Sequence, residues 1–327
     1  MKKNIAIIAG GDTSEYEVSL KSAANLLDMM DKDKYSIYTI LVRGNEWNGI
    51  NGDINGLPID KNDFSLITPN GKLTFDFAYI TIHGTPGEDG RLQAYFEMIG
   101  IPYSSPGVFA SSITYNKLGS KLFLKNYDVP VAKTVLLRKG ETADIEKIIK
   151  EVGLPCFVKP NEAGSSFGVS KVKKADELNN ALEKAFREDD EALIEEFIEG
   201  TEVTCGTFKI NSKQIVLPVT EIVSETEFFD YEAKYLGKSK EITPARLSEQ
   251  QTHDCQELTS KIYSILNLKG IVRIDYIFSK NKFYYLEVNT TPGMSPASII
   301  PQQLRAAGMN TKDVFSSIIE DKSHQKH

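Results

Sequence analysis

At 327 residues the chain is long for one hydrophobic core, so two or three packed domains are expected. Its 41% hydrophobic and 25% charged residues are those of an ordinary globular protein. A net charge of −7 leaves no basic surplus for broad binding of nucleic acid or an anionic membrane, although a nucleotide ligand needs only a few local cations. Cys156, Cys205 and Cys255 are too few and too scattered for a disulfide framework or a zinc cluster. They read as reduced thiols without a role. The apolar run at residues 5–9 is too short for a leader and meets Gly10-Gly11-Asp12, so it reads as a buried first strand. No stretch approaches a membrane span, and a cytosolic protein is expected.

Short apolar runs alternate with helical patterns through the first third, the mark of a parallel α/β layer. A strand at residues 5–9 leads through a tight loop to a helix opened by Ser14, with Glu17 at capping-box spacing. A strand at 36–42 follows, then a Gly-, Asn- and Asp-rich stretch at 45–71 that reads as irregular surface. Residues 77–81 form a strand entering His83-Gly84, 92–99 a helix and 101–103 a short strand. A boundary is expected near 111–116. Beyond it come helices at 117–126 and 142–152, a strand at 156–159, a loop at 161–168, a strand at 169–172, a helix around 178–186 and a strand at 193–198. Long strands are expected at 202–210 and 214–222. Residues 223–247 have no clear period, as in a functional lid. Ser248 and Gln251 cap a helix to residue 268, and a hairpin spans 270–289.

That hairpin carries Arg273-Ile274-Asp275 on one strand and Glu287-Val288-Asn289 on the next. Residues two apart on a strand share a face. Pairing Phe278 with Tyr284 sets Asp275 opposite Glu287 and Arg273 opposite Asn289, with Ile274, Tyr276 and Val288 on the other face. The oxygens of Asp275, Glu287 and Asn289, without His or Cys, suit a hard cation such as Mg²⁺. A solvated face holding one Arg–carboxylate pair is the competing reading.

The loop from Lys159 to Gly168 lies between strands and is therefore no Walker A loop, which must open a helix. Its small residues at 163–166 let backbone N–H groups approach phosphate oxygens, with Lys159 in reach and Lys117 as a second cation. A plain hairpin turn fits equally. Glu195 and Phe197 share one face of the 193–198 strand, and Glu196 and Ile198 the other. Its backbone could meet an adenine edge with Glu202 on a ribose, or it is a solvated acidic strand.

In this order the segments resemble the ATP-grasp superfamily and, within it, the D-alanine–D-alanine ligase family. The matching stretches are Gly10-Gly11-Asp12-Thr13-Ser14-Glu15, His83-Gly84-Thr85-Pro86-Gly87-Glu88-Asp89-Gly90, residues 159–168, Asp230-Tyr231-Glu232-Ala233-Lys234-Tyr235, Arg273-Ile274-Asp275 and residues 287–293. The resemblance implies α/β and α+β layers in a three-domain ATP-grasp architecture. An N-terminal parallel-sheet α/β substrate domain would span 1–113, a central ATP-grasp domain 114–201, and a C-terminal domain 202–327 with the metal hairpin and the 223–247 lid. It places ATP at Lys117, Lys159, Glu195, Glu196, Ile198 and Glu202, and two Mg²⁺ or Mn²⁺ at Asp275, Glu287 and Asn289. Glu15, Ser165 and Tyr235 match a triad that holds the first D-alanine, and His83 would lie near its carboxylate. Lys234 and Ser298 would meet the second alanine, while Arg273 and the Gly293 N–H would stabilise the tetrahedral intermediate. Implied with these are a D-alanyl phosphate intermediate, a role in peptidoglycan synthesis and a homodimer.

Two departures bear on the substrate. Asn161-Glu162-Ala163 stands where many members carry a Ser-Arg-Glu type sequence. Gly164-Ser165-Ser166-Phe167-Gly168 also occurs in vancomycin-resistance ligases that make D-alanyl-D-lactate, whereas Lys234-Tyr235 is of the dipeptide type. The alternatives are therefore a D-alanyl-D-lactate or D-alanyl-D-serine ligase, or a nucleotide-binding regulator without catalysis. A regulator would show a broken metal set or a missing arginine, and neither is seen.

Overall fold

A computed structural model describes residues 2–224 and 239–321. Its first layer is a four-stranded sheet in the order Glu46–Gly49, Tyr35–Arg43, Lys3–Gly10, Phe77–Ile80. The last three strands are parallel and the edge strand Glu46–Gly49 antiparallel. Ile5, Ala6, Ile7, Ile8 and Ala9 are all fully buried, as a central parallel strand covered on both faces requires. The carboxyl ends of Lys3–Gly10 and Phe77–Ile80 deliver Gly10-Gly11 and His83-Gly84 to one edge of the layer, where open α/β sheets bind ligands.

Three local expectations change here. The first helix is Tyr16–Met29, with Glu15 at the N-cap and no side-chain cap, so the Ser14–Glu17 capping box does not form. Thr13 Oγ1 instead accepts from the Glu15 N–H at 3.3 Å, and Ser14 turns its hydroxyl to Glu188 at 3.4 Å. The stretch at 45–71 is not irregular surface throughout. It supplies the edge strand and most of a small hairpin, Leu66–Thr68 with Gly71–Leu73, because Ile54, Phe64 and Leu66 are buried in a core with Phe75 and Phe96. The expected strand at 101–103 reduces to a single bridge between Tyr103 and Ala78.

Helices Val108–Tyr115 and Lys117–Lys125 follow, the first crossing the stretch where a boundary was expected. Asn116 separates them, its Oδ1 accepting from the Gly119 N–H at 2.7 Å as the cap of the second. The central sheet is antiparallel, in the order Thr134–Arg138, Glu191–Glu196, Cys156–Pro160, Ser170–Val172. Helices Ile145–Val152 and Leu178–Ala185 contribute to its core, with Val158, Leu182 and Ile194.

The third sheet runs Ser239–Ile242, Thr220–Ser224, Thr201–Ile210, Val272–Ser279, Lys282–Asn289, with Lys213–Val216 paired separately to Thr201–Ile210. The strand expected at 214–222 is thus two, divided at Pro218, which has no N–H for a ladder. Ser248 and Gln251 form the expected capping box on helix Glu249–Ile265, which stops short of residue 268. The last helices, Ile299–Ala306 and Thr311–Glu320, return to the first layer: Leu304 and Phe315 share a core with Ile5, Ile7 and Leu26. The Phe315 ring stacks edge-on to Tyr79 at 5.8 Å. Among the described residues, no helix is long and apolar enough to cross a membrane.

Candidate active site

The hairpin Val272–Ser279/Lys282–Asn289 sets Arg273 opposite Asn289 and Asp275 opposite Glu287, as expected. Below them the register slips by one: Tyr276 pairs with Tyr285 and Phe278 with Phe283, not Tyr284. The extra residue is Leu286. A bulge lets consecutive residues present to one side, and Leu286 and Glu287 both line the same cavity. Asp275 is the hub of the polar face. It accepts from Arg273 Nε and Nη2 at 2.8 Å each, from Asn289 Nδ2 at 2.9 Å and from Thr204 Oγ1 at 2.5 Å. Ile274, Tyr276 and Val288 are buried on the opposite face, and on the polar face Asp275 is buried while Arg273, Glu287 and Asn289 are partly exposed.

The cavity, of about 130 Å³, lies between this hairpin and the central sheet. Lys117, Phe157, Lys159, residues 163–167, Glu195, Glu202, Leu286 and Glu287 are among its walls. Lys117 donates to the Ala163 carbonyl and lies 3.8 Å from Glu287. Lys159 is 2.8 Å from Glu195, whose other oxygen accepts from Lys121, a residue that sequence reasoning passed over. Burial alone would raise the Glu195 pKa, but the two ammonium groups outweigh it and hold the carboxyl near 2. Burial also pulls Lys117 down against the attraction of Glu287. Lys159 is raised, because Glu195 and Glu287 more than offset its desolvation.

Ser165 and Ser166 occupy the left-handed region (φ 48° and 60°), which folds the 161–168 loop back toward the first helix. There the Ser165 hydroxyl donates to Glu15 Oε1, joining two candidates 150 residues apart. The departing Asn161 is built into the same corner. Its Oδ1 accepts from the Leu118 N–H at 2.9 Å and its Nδ2 donates to Glu191 at 2.7 Å, while Glu162 accepts from Asn116.

His83 is buried beside Ser22, with 3.4 Å between Nε2 and the hydroxyl. Five residues on, Glu88 spans two layers. One carboxylate oxygen accepts from the Gly84 N–H at 2.9 Å; the other accepts from the Thr291 N–H at 3.1 Å and the Thr290 hydroxyl at 3.3 Å. Sequence reasoning gave Glu88 no role, and its signal was an acid inside a Gly-rich loop. Ser298 caps the start of Ile299–Ala306 in sequence, but its hydroxyl pairs with Ser295 at 2.8 Å, and a Cβ on Gly293 would lie 3.0 Å from it. Two adenine-strand candidates sit away from the cavity wall. The strand ends at Glu196, leaving Ile198 outside it, and the Glu196 carboxylate accepts from the Lys133 N–H at 2.9 Å. Lys234 and Tyr235 lie outside the described residues, as does most of the 223–247 stretch.

An antiparallel α+β layer and a second sheet gripping a lysine-walled cavity, beside an acidic hairpin and a parallel α/β layer, define an ATP-grasp ligase. Family models described as the D-ala D-ala ligase N-terminus and C-terminus match residues 4–106 and 123–320. The chain belongs to the D-alanine–D-alanine ligase family. The D-alanine–D-alanine ligase of Bacteroides fragilis is 53% identical over 323 residues, 98% of this chain and all of that one. Among solved structures, the VanG D-Ala:D-Ser ligase of Enterococcus faecalis superposes with a TM-score of 0.85 at 30% identity, over 98% of this chain and 99% of its own. The Bacillus anthracis D-alanine–D-alanine ligase complexed with ATP gives 0.77 at 30%, over 98% and 97%.

Proposed function

We propose that this ligase condenses two D-alanines to D-alanyl-D-alanine for peptidoglycan precursor synthesis, consuming ATP through a D-alanyl phosphate. The observation that carries this reading is the Ser165–Glu15 hydrogen bond, which ties the loop over the nucleotide cavity to the entrance of the first helix. On this reading the bond would bring phosphoryl donor and carboxylate acceptor to one place.

The division into domains at 1–113, 114–201 and 202–327 belongs to this proposal. ATP lies in the cavity with its phosphates under residues 163–166 and beside Lys117 and Lys159, its ribose toward Glu202, and Glu195 behind Lys159. Glu196 and Ile198 contribute through the backbone at the strand end. Glu15, Ser165 and Tyr235 hold the first D-alanine with His83 near its carboxylate; Lys234 and Ser298 receive the second. The all-oxygen set Asp275, Glu287 and Asn289 suits Mg²⁺ or Mn²⁺ in donor type: Asn289 commits its nitrogen to Asp275 and keeps its oxygen as the donor, while Asp275 would exchange part of its hydrogen bonding to Arg273, Thr204 and Asn289 for the ion. When bound, such ions would neutralise charge on the triphosphate. Arg273 and the Gly293 N–H face the oxyanion formed when the second amine attacks the acyl carbon. Water must be kept from the acylphosphate, which is the task of the 223–247 segment. We place the enzyme in the cytoplasm as a homodimer.

Phosphate release with Mg-ATP tests the reading, comparing D-alanine, L-alanine and D-lactate as substrates with product analysis. Release that depends on D-alanine and matches dipeptide formed is expected. Release independent of D-alanine, or an ester product, would sink it.

A further inference from the structure

Lys121 stands one helical turn beyond Lys117 on Lys117–Lys125, and its side chain is only 2% exposed. A buried ammonium is costly unless it is paired. Its partner is Glu195, and the pairing is divided: Oε1 accepts from Lys121, while Oε2 lies 2.8 Å from Lys159. Lys159 and Glu195 line the cavity, and Lys121 does not. With Lys117 and Glu287 added, three lysines and two carboxylates stand together beside the space assigned to a triphosphate, with Glu202 on the same wall.

One carboxylate shared between two lysines cancels neither fully. Were Lys121 absent, the whole Glu195 charge would fall on Lys159, the group that must release it to meet phosphate oxygens. We infer that Lys121 is a positioning residue for nucleotide binding, which holds Glu195 from behind and so keeps the Lys159 ammonium available to ATP. The inference rests on the assignment of this cavity to ATP.

Steady-state kinetics of the full chain with Mg-ATP and D-alanine compare wild type, Lys121→Met, Glu195→Gln and the double variant. Lys121→Met is expected to raise the KM for ATP about tenfold, with kcat and the KM for D-alanine changed less than about twofold. Because Lys121 acts through Glu195, the double variant should match Glu195→Gln within about twofold. The double variant also leaves no unpaired carboxylate, so this comparison decides the matter even where Lys121→Met alone does not fold. A loss confined to kcat, or a double variant in which the two single effects multiply, overturns the inference. Wild type lacking D-alanine-dependent phosphate release would overturn the ligase reading instead.

Discussion

Gly164→Ala isolates the joint between the first helix and the phosphate loop. Gly164 has no left-handed φ, so alanine suits its backbone, and the perturbation is purely the added methyl. A Cβ there would lie 2.8 Å from both Cδ and Oε1 of Glu15, well inside the roughly 3.5–4.0 Å optimum for carbon contacts. The loop is held by Lys117 on the Ala163 carbonyl, so the Glu15 carboxylate is the part that moves. It then loses the Ser165 hydroxyl. A hydrogen bond to a charged group is worth about 1.5–3 kcal/mol, equivalent to roughly a 10- to 150-fold loss in kcat/KM for the first D-alanine. A phosphate-release assay at saturating ATP, with D-alanine varied, reads this directly. Gly107→Ala is the control, since its nearest neighbour would be 3.6 Å away, and it should be silent. A Gly164→Ala enzyme within about twofold of wild type would refute the reasoning. So would an equal further loss when the substitution is made on a Glu15→Gln background.

Glu287→Gln should cost at least about 100-fold in turnover with the melting temperature preserved, because bound-metal charge stabilisation amounts to several kcal/mol; near-normal, magnesium-dependent turnover would count against the ligand set. Glu195, lowered from 4.5 to about 2, contributes stability that is complete above pH 4.5 and lost as pH falls through 2. That contribution is on the order of 3 kcal/mol. Denaturant titrations from pH 6 to 2 should therefore show a shallower acid loss in Glu195→Gln, and identical slopes would contradict the assignment. Asn161→Ala strands the Leu118 N–H at a site 1% exposed and takes one partner from Glu191, which keeps Arg138, an expected cost of about 1–3 kcal/mol in urea unfolding. A change below about 0.5 kcal/mol would mean water replaces both bonds.

Features that repeat with a short period were legible, and those set by distant partners were not. Alternation put Arg273 with Asp275 and Glu287 with Asn289 on common faces, and the assumed hairpin register set Asp275 opposite Glu287 and Arg273 opposite Asn289, as they stand. The bulge at Leu286 carried no Gly or Pro to announce it, so the register below Asp275 was read one residue off. At Ser14 the spacing to Glu17 was that of a capping box, yet Thr13 made the local contact and Glu15 turned to Ser165. Lys121 drew no reading from the sequence, since only the packing of its helix over Glu195 buries it. Glu88 went unassigned for the same reason: Thr290 and Thr291 are two hundred residues away. The Gly-, Asn- and Asp-rich composition of 45–71 obscured Ile54, Phe64 and Leu66, whose core partners Phe75 and Phe96 lie outside the stretch.

The shared cores decide which parts of the site are held rigidly together. Leu304 and Phe315 from the end of the chain pack with Ile5 and Leu26 of the first layer, so the first sheet and the segments after the Val272–Asn289 hairpin share apolar packing. Glu88 adds a polar tie between the same two parts. Leu124 and Val129 are likewise sunk in the core of the third sheet. The central sheet differs. Among the described residues its core is drawn from 135–194, and it has polar ties at the site: Asn161 to Leu118, Lys117 to Ala163, and Ser165 to Glu15. A hydrogen bond exchanged for water costs about 1 kcal/mol net, whereas uncovering a large apolar side chain costs about 1.5–3 kcal/mol each. Admitting a nucleotide beneath the phosphate loop is therefore cheapest at the polar joint. The Glu15–Ser165 bond belongs to that joint, so the contact assigned to the first substrate depends on where the nucleotide loop sits.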